Sequence, residues 1–239
     1  MLVYKSKKIP IKHLFTCKDG GVSSGNYKSL NLAFHVGDKK EDVEKNHKIL
    51  ADFLGYDIKN LIFMNQIHSN KVQIVSKPLL SPPSCDALVT NQKGLALMVM
   101  SADCSPVIFY DKAKEVVAVA HIGRKGAFEN IIKNVLDVMS ESFTCKSEDI
   151  VVSIGPNIKK CCYEIGQNEI DEAKKLGYNF AVLKNKLDID GIILKQLKSC
   201  KIKSENIEFL PFCTKCSSDI FFSYRKEKVT GRNCAVTVL

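Results

Sequence analysis

Six short apolar runs lie between residues 61 and 123, at 61–65, 71–75, 86–90, 95–101, 106–110 and 116–121, divided by turn-forming residues. Several are apolar without interruption instead of alternating with polar positions. An alternating strand needs cover on one face only, whereas a continuous one needs cover on both. The chain is therefore committed to a central β-structure buried on two sides, and the remaining sequence must supply the cover. Val43, His47, Leu50 and Leu54 share one helical face, widened by Ile49 and Phe53, with Asp38 and Glu41 as a capping box and Gly55 as the stop. His47 on that face reads as a packed core histidine. Phe128, Ile131, Ile132, Val135, Leu136 and Met139 step along a second helix. It starts just after Gly123-Arg124-Lys125-Gly126 and turns its N-terminus toward His121, where an anion is welcome. Further helices are expected at about 167–176 and 188–200, and strands at 150–154 and 233–239. Without a regular βαβ alternation, the fold class is α+β, with mixed β-sheet layers flanked by helices.

Nothing divides the 239 residues: there is no repeat, low-complexity tract or Pro/Ser-rich linker, so residues 1–239 are read as a single domain. The N-terminal stretch lacks the apolar run of a signal peptide, and no apolar run spans a bilayer, so a cytoplasmic protein without membrane contact is expected. In that compartment ten cysteines are reduced thiols or metal ligands before they are disulfides. The formal charge of +9 comes mainly from scattered lysines, with no basic arm or aromatic-interleaved stripe, which argues against nucleic acid and suits a small anionic substrate. Arginine occurs only at Arg124, Arg225 and Arg232. Its planar fork binds phosphate or carboxylate as lysine cannot.

Three stretches look built to aim one side chain each: Asn65-Gln66-Ile67-His68, Ser101-Ala102-Asp103-Cys104 and Val119-Ala120-His121-Ile122-Gly123. Two imidazoles and a thiolate suit zinc, and three protein ligands leave a fourth position open. His68 and Cys104 follow strands and His121 ends one, where a sheet can hold ligands rigidly. The segment Cys213-Thr214-Lys215-Cys216 could make a second zinc site if it met Cys161-Cys162, but an adjacent cysteine pair is awkward ligand geometry, so no site is expected there. The glycine-rich stretch 18–26 lacks the spacing of a phosphate-binding loop and reads as a surface loop.

These stretches, with Cys85-Asp86-Ala87-Leu88-Val89-Thr90, Ile154-Gly155-Pro156, Cys162-Tyr163-Glu164-Ile165-Gly166, Phe221-Phe222-Ser223-Tyr224-Arg225 and Thr230-Gly231-Arg232, together resemble the laccase-domain proteins. Gly20-Gly21-Val22-Ser23, Leu30-Asn31-Leu32 and Val36-Gly37-Asp38 also match, so the resemblance covers essentially the whole chain in order. That family was long labelled polyphenol oxidases and is now regarded as purine nucleoside phosphorylases. The resemblance implies a single α+β domain similar to certain Cys–His toxin deamidases, with zinc (Zn2+) held by His68, Cys104 and His121. It implies phosphorolysis of adenosine, inosine and S-methyl-5'-thioadenosine, and deamination of adenosine. Copper (Cu2+) would compete for such a site. Lys18, Asn31, Lys125 and Arg225 are the candidate substrate contacts, and Asp103 and Glu164 the candidate proton carriers. The chain departs from the family at Cys17-Lys18, where Thr-Arg is usual, and at Arg124-Lys125, where Trp-Arg is usual.

Three alternatives remain open. Cys104 as nucleophile with His121 as base would make a metal-independent hydrolase or amidase. Copper oxidase chemistry on phenols would need more imidazoles than His13, His35, His47, His68 and His121 provide. A binding module stabilised by a closed zinc site would recruit Cys162 or Cys213 as fourth ligand.

Overall fold

The computed structural model describes residues 2–239. Its strands are β1 (Val3–Tyr4), β2 (Lys12–Thr16), β3 (Leu61–Ile62), β4 (Val72–Ile74), β5 (Ala87–Thr90), β6 (Ala96–Ser101) and β7 (Ser105–Asp111). They continue with β8 (Val116–Ile122), β9 (Ile150–Ile154), β10 (Val182–Leu183), β11 (Lys186–Leu187), β12 (Ile207–Phe209) and β13 (Asn233–Val238). The α-helices are α1 (Lys40–Leu54), α2 (Arg124–Phe128), α3 (Ile131–Phe143), α4 (Gln167–Lys175), α5 (Ile189–Ser199) and α6 (Tyr224–Glu227).

Two mixed sheets pack face to face, one ordered β1-β2-β13-β6-β3 and the other β12-β9-β7-β8-β5-β4. The alternation of side chains across a strand explains the continuous apolar runs. Val107 and Phe109 of β7, with Ala118 and Ala120 of β8, meet Ile132, Val135 and Met139 of α3 and Ile192 and Ile193 of α5. Their neighbours Ile108, Val117 and Val119 face inward against Phe15, Leu97, Val99 and Ala235 of the other sheet. That sheet's outer side chains, Ala96, Met98 and Val236, are covered by Leu50 and Leu54 of α1 and by Leu30 and Leu32. The layers run helix, sheet, sheet, helix, and each inner strand is buried on both faces, as its composition requires. No helix among the described residues is long and apolar enough to cross a membrane.

Several local expectations shift. The helix read as continuous from Phe128 is two, because Asn130 takes a left-handed φ of 57° and its side chain accepts a hydrogen bond from Lys133 N–H, capping α3. The capping box at Asp38 and Glu41 is not formed: α1 begins after Lys39, and Asp38 instead accepts from Ser23 Oγ (2.6 Å) and Asn31 Nδ2 (2.9 Å). Gly55 ends α1 at φ 74° as expected. His47 is buried in the core, its Nε2 2.8 Å from the Leu32 carbonyl.

Candidate active site and metal centre

The strand pairings bring many strand ends to one rim of the sandwich. Asn233 opposite Ser101, Ser105 opposite Ile122 and Val107 opposite Ile154 place the start of β13, the ends of β6, β8 and β9, and the start of β7 side by side. Two connections cross between the sheets at this rim. One, from β3 to β4, carries His68; the other, from β6 to β7, carries Asp103 and Cys104. His121 stands near the end of β8. The ligand atoms of His68, Cys104 and His121 lie within 4.8 Å of one another. The rings of His68 and His121 meet edge to face at a centroid distance of 4.8 Å.

The backbone is held in place for this. Gln66 exchanges two hydrogen bonds with the backbone of Met100 (2.8 and 2.9 Å), tying the His68 loop to β6. His68 has φ 54° and Asp103 φ 98°, conformations that a β-carbon resists and that surrounding contacts must maintain. Asp103 is maintained by three donors, Thr214 Oγ1 (2.6 Å), Ser223 Oγ (2.7 Å) and Arg225 N–H (2.6 Å). Gly123 completes the packing: a β-carbon there would stand 3.0 Å from Cys104 Sγ and 3.2 Å from His68 Cδ2.

Asp86 is the residue that sequence reasoning did not assign to the site. It is fully buried, immediately before β5. Its Oδ1 lies 2.9 Å from His121 Nδ1 and accepts from His68 N–H at 3.1 Å. Its Oδ2 accepts from Ser69 N–H (2.6 Å) and Ser69 Oγ (2.8 Å). A carboxylate behind a histidine fixes the ring's tautomer, here turning Nε2 to the site, which is the support that metal-ligating imidazoles have. A buried acid inside an otherwise apolar strand was the available signal.

Burial by itself would raise the Asp86 carboxyl, but the hydrogen bonds from His121 and Ser69 hold it below the ordinary carboxylate range. Burial likewise disfavours charge on Cys104 and His121, yet their mutual attraction prevails. The thiol is lowered to about 6, helped by hydrogen bonds from His121 and His68. The imidazole is raised to about 9, helped by Asp86. A nucleophilic or metal-binding thiolate is therefore available at neutral pH. The donor set of two imidazoles and one thiolate, with a carboxylate behind one ring, fits zinc with an open fourth position.

The trio opens into a cavity of about 440 Å³. Arg124, Arg225 and Arg232, every arginine of the chain, line it together with His35, Gln66, Tyr163 and Tyr224. Arg225 was expected there; Arg124 and Arg232 were marked only by the scarcity of arginine. The other expected substrate contacts lie elsewhere. Lys18 Nζ donates to the Ser218 carbonyl at 2.6 Å, and Lys125 is exposed and paired with Glu129 at 3.7 Å. Asn31 is buried, bonding Ala33, Asp38 and the Arg232 N–H, so it braces the arginine from behind. Glu164 is exposed, and its backbone carbonyl, not its carboxylate, takes the Arg225 guanidinium. Neither Cys162 nor Cys213 joins the His68 trio; both belong to a separate cluster with Cys161 and Cys216.

The family model described as multi-copper polyphenol oxidoreductase laccase matches residues 12–239. The protein named purine nucleoside phosphorylase YlmD of Bacillus subtilis is 32% identical over 235 residues, covering 91% of this chain and 84% of the relative. Purine nucleoside phosphorylase Cj1217c of Campylobacter jejuni is 40% identical over 193 residues, covering 80% of this chain and 82% of its own. Among solved structures, the hypothetical protein YfiH of Bacillus licheniformis superposes with a TM-score of 0.90 at 30% identity, covering 95% of this chain and 92% of that one. Neisseria meningitidis NMB0706 superposes with a TM-score of 0.88 at 30% identity, covering 99% and 98%. A match that runs from β2 to the C-terminal residue, with relatives aligned over most of both chains, makes this chain a member of the laccase-like polyphenol oxidoreductase family, several of whose members carry the name purine nucleoside phosphorylase.

Proposed function

We propose that the chain is a purine nucleoside phosphorylase acting on adenosine, inosine and S-methyl-5'-thioadenosine, with adenosine deamination as a second activity. The observation that carries this reading is that the three arginines and the His68–Cys104–His121 trio all line one cavity. Phosphorolysis needs phosphate held against C1′ of the ribose, and most of the work is positioning and electrostatics. Arg124 is engaged by Glu172 and Glu169, so its charge is largely spoken for. Arg225 and Arg232 have no carboxylate salt-bridge partner among the described residues, which leaves their charge for phosphate. Arg225 is steadied by its stacking over Tyr163 (5.5 Å) and its bond to the Glu164 carbonyl (2.7 Å). Tyr163 and Tyr224, with Met100 and Ile158, offer an apolar wall for a purine. Zinc held by His68, Cys104 and His121, when bound, supplies Lewis-acid charge beside the substrate.

For deamination a proton carrier is needed. Asp103 is engaged by its three donors and acts as a positioning residue, and Glu164 lies outside the cavity. His35 lines the cavity, and partial desolvation of its ring together with the charge of Arg232 lowers it from the ordinary histidine value, which favours the neutral imidazole that can accept a proton. The test is zinc-loaded protein incubated with each nucleoside, with and without phosphate, and the products separated by chromatography. Free base that forms only with phosphate supports the reading, and inosine from adenosine supports the second activity. No purine turnover with metal bound refutes it.

A second reading draws on one specific observation, the close approach of Cys104 to His121 with Asp86 2.9 Å behind the ring, a placing that lowers the thiol and raises the imidazole. That arrangement also suits a Cys–His–Asp hydrolase. Activity that survives chelation and dies on alkylation of Cys104 would favour it. Copper oxidation of phenols draws no support from the histidines. His13 bonds Ser6 and Ile11, His47 bonds Leu32, and His35 lines the cavity outside the trio, so only His68 and His121 belong to a metal-capable group among the described residues.

A further inference from the structure

The awkwardness expected of Cys161-Cys162 does not materialise. Lys160–Cys162 form a turn, and the sulfurs of Cys161, Cys162, Cys213 and Cys216 all lie within 4.8 Å of one another. Cys216 Sγ is 3.3 Å from Cys162 Sγ and 3.7 Å from Cys161 Sγ. Four thiolates around zinc at the usual bond length stand about 3.8 Å apart, so this spacing is close to that of a filled tetrahedron. All four thiols are free, so no disulfide accounts for their approach.

The two segments come from points 54 residues apart and are aligned by the backbone. Asn157 and Cys213 form a parallel β-bridge, Thr214 N–H donates to the Asn157 carbonyl at 3.1 Å, and Lys159 N–H donates to Cys213 Sγ at 3.5 Å. An N–H aimed at sulfur is what a metal thiolate uses to spread its charge. Zinc with four thiolates carries a net charge of about −2, and lysines flank the cluster: Lys215 precedes Cys216, Lys160 precedes Cys161 and also pairs with Asp188 at 3.4 Å, and Lys186 Nζ bonds the Cys161 carbonyl at 2.6 Å.

We propose that Cys161, Cys162, Cys213 and Cys216 form a second metal site, a closed four-thiolate zinc centre distinct from the His68–Cys104–His121 trio. Binding releases the thiol protons and forms four zinc–sulfur bonds, with no change of oxidation state. The centre is structural, because all four positions are filled by protein. Its place in the fold gives it a purpose. Tyr163 follows one pair of ligands, and Thr214, which holds Asp103, lies between the other two. The metal therefore clamps the segment leading to Tyr163, which lines the cavity, to the segment whose Thr214 holds Asp103.

The test is the metal content of the full chain purified from zinc-supplemented medium, by mass spectrometry, beside the Cys161→Ser/Cys216→Ser variant. Both replaced residues are exposed, which favours folding. The variant should hold one zinc fewer per chain than the parent. His68→Ala should leave this zinc in place, so the result does not depend on what the trio binds. Substituting cobalt should give the intense sulfur-to-cobalt charge-transfer bands of a four-thiolate site, lost in the cysteine variant and kept in His68→Ala. Equal zinc content in parent and cysteine variant overturns the proposal. So does a parent chain whose intact mass is lighter by the hydrogens of a disulfide among these cysteines.

Discussion

Replacing Asp86 by asparagine keeps its shape and tests whether the buried carboxylate orients the trio. Both oxygens now accept: Oδ1 serves His68 N–H and His121, and Oδ2 serves Ile67 N–H, Ser69 N–H and the Ser69 hydroxyl. An amide has only one acceptor oxygen, so its NH2 must face one of these groups of donors. At Oδ2 it would oppose two backbone N–H groups that cannot turn. At Oδ1 it opposes one, and His121 can adapt by moving its proton from Nδ1 to Nε2. That second arrangement costs least, and it removes the Nε2 lone pair from the site. Zinc affinity should fall about 10- to 100-fold, the range for loss of such a supporting carboxylate, or roughly 1.4–2.8 kcal/mol. The metal-free protein should lose about 1–3 kcal/mol for the opposed His68 N–H. In a chain of this size that lowers Tm by a few degrees, about 2–4 °C per kcal/mol. Zinc affinity is measured by competition with a chromophoric chelator, and Tm by calorimetry with the metal removed. An Asp86→Asn protein that binds zinc as tightly as the parent would refute the orienting role.

Gly123→Ala places a β-carbon 3.0 Å from Cys104 Sγ and 3.2 Å from His68 Cδ2, so zinc affinity should fall by on the order of tenfold, the scale of disturbed ligand support, while the far-ultraviolet circular dichroism is unchanged; undiminished zinc binding would contradict the packing. Arg232→Lys and Arg225→Lys keep charge but lose the fork, and each should raise the KM for phosphate about tenfold with a smaller change for nucleoside. An equal rise for both substrates would indicate a general loss of structure instead. In metal-free protein, Cys104 alkylation by iodoacetamide should rise as pH climbs through about 6 and level off near neutrality, because the thiolate is the reactive form and His121 stabilises it. A midpoint near the ordinary thiol value of about 8.5 would contradict the pairing, and zinc should suppress the reaction. Asp103→Ala leaves Thr214, Ser223 and the Arg225 N–H without their acceptor and should destabilise the chain by about 3 kcal/mol. Unfolding in urea reads this directly, and a change under 1 kcal/mol would show that the carboxylate is not the pin between these segments.

What could be read from sequence was whatever has a local cause. Continuous apolar runs predicted strands covered on both faces, and the strands β5–β9 follow those runs to within a residue or two. Gly55 announced the end of α1, and the contexts of His68, Cys104 and His121 announced three aimed side chains. Where two local solutions compete, periodicity was silent: Asn130 caps a new helix although the apolar steps continue through it. Lys18, Asn31 and Lys125 sit in suggestive stretches, yet each is spent on backbone, loop or surface contacts. Asp86 reads in sequence as one acid in a strand; its partners His68 and His121 are remote in the chain and meet it only across the rim.

Local patterning and composition are enough for the kinds of elements, their apolar faces and the chemical types present: few arginines, few histidines, many thiols. Which of them meet is settled by the packing of the whole chain. Register and crossover choose the rim where the strand ends converge, and a shift of one residue would turn each side chain to the opposite face. Thus three arginines separated by up to 108 residues line one cavity, and two cysteine pairs remote in the chain bring four sulfurs within 4.8 Å of one another. Such encounters depend on how the sheets stack, and stacking is a property of the whole chain that no local window of sequence contains.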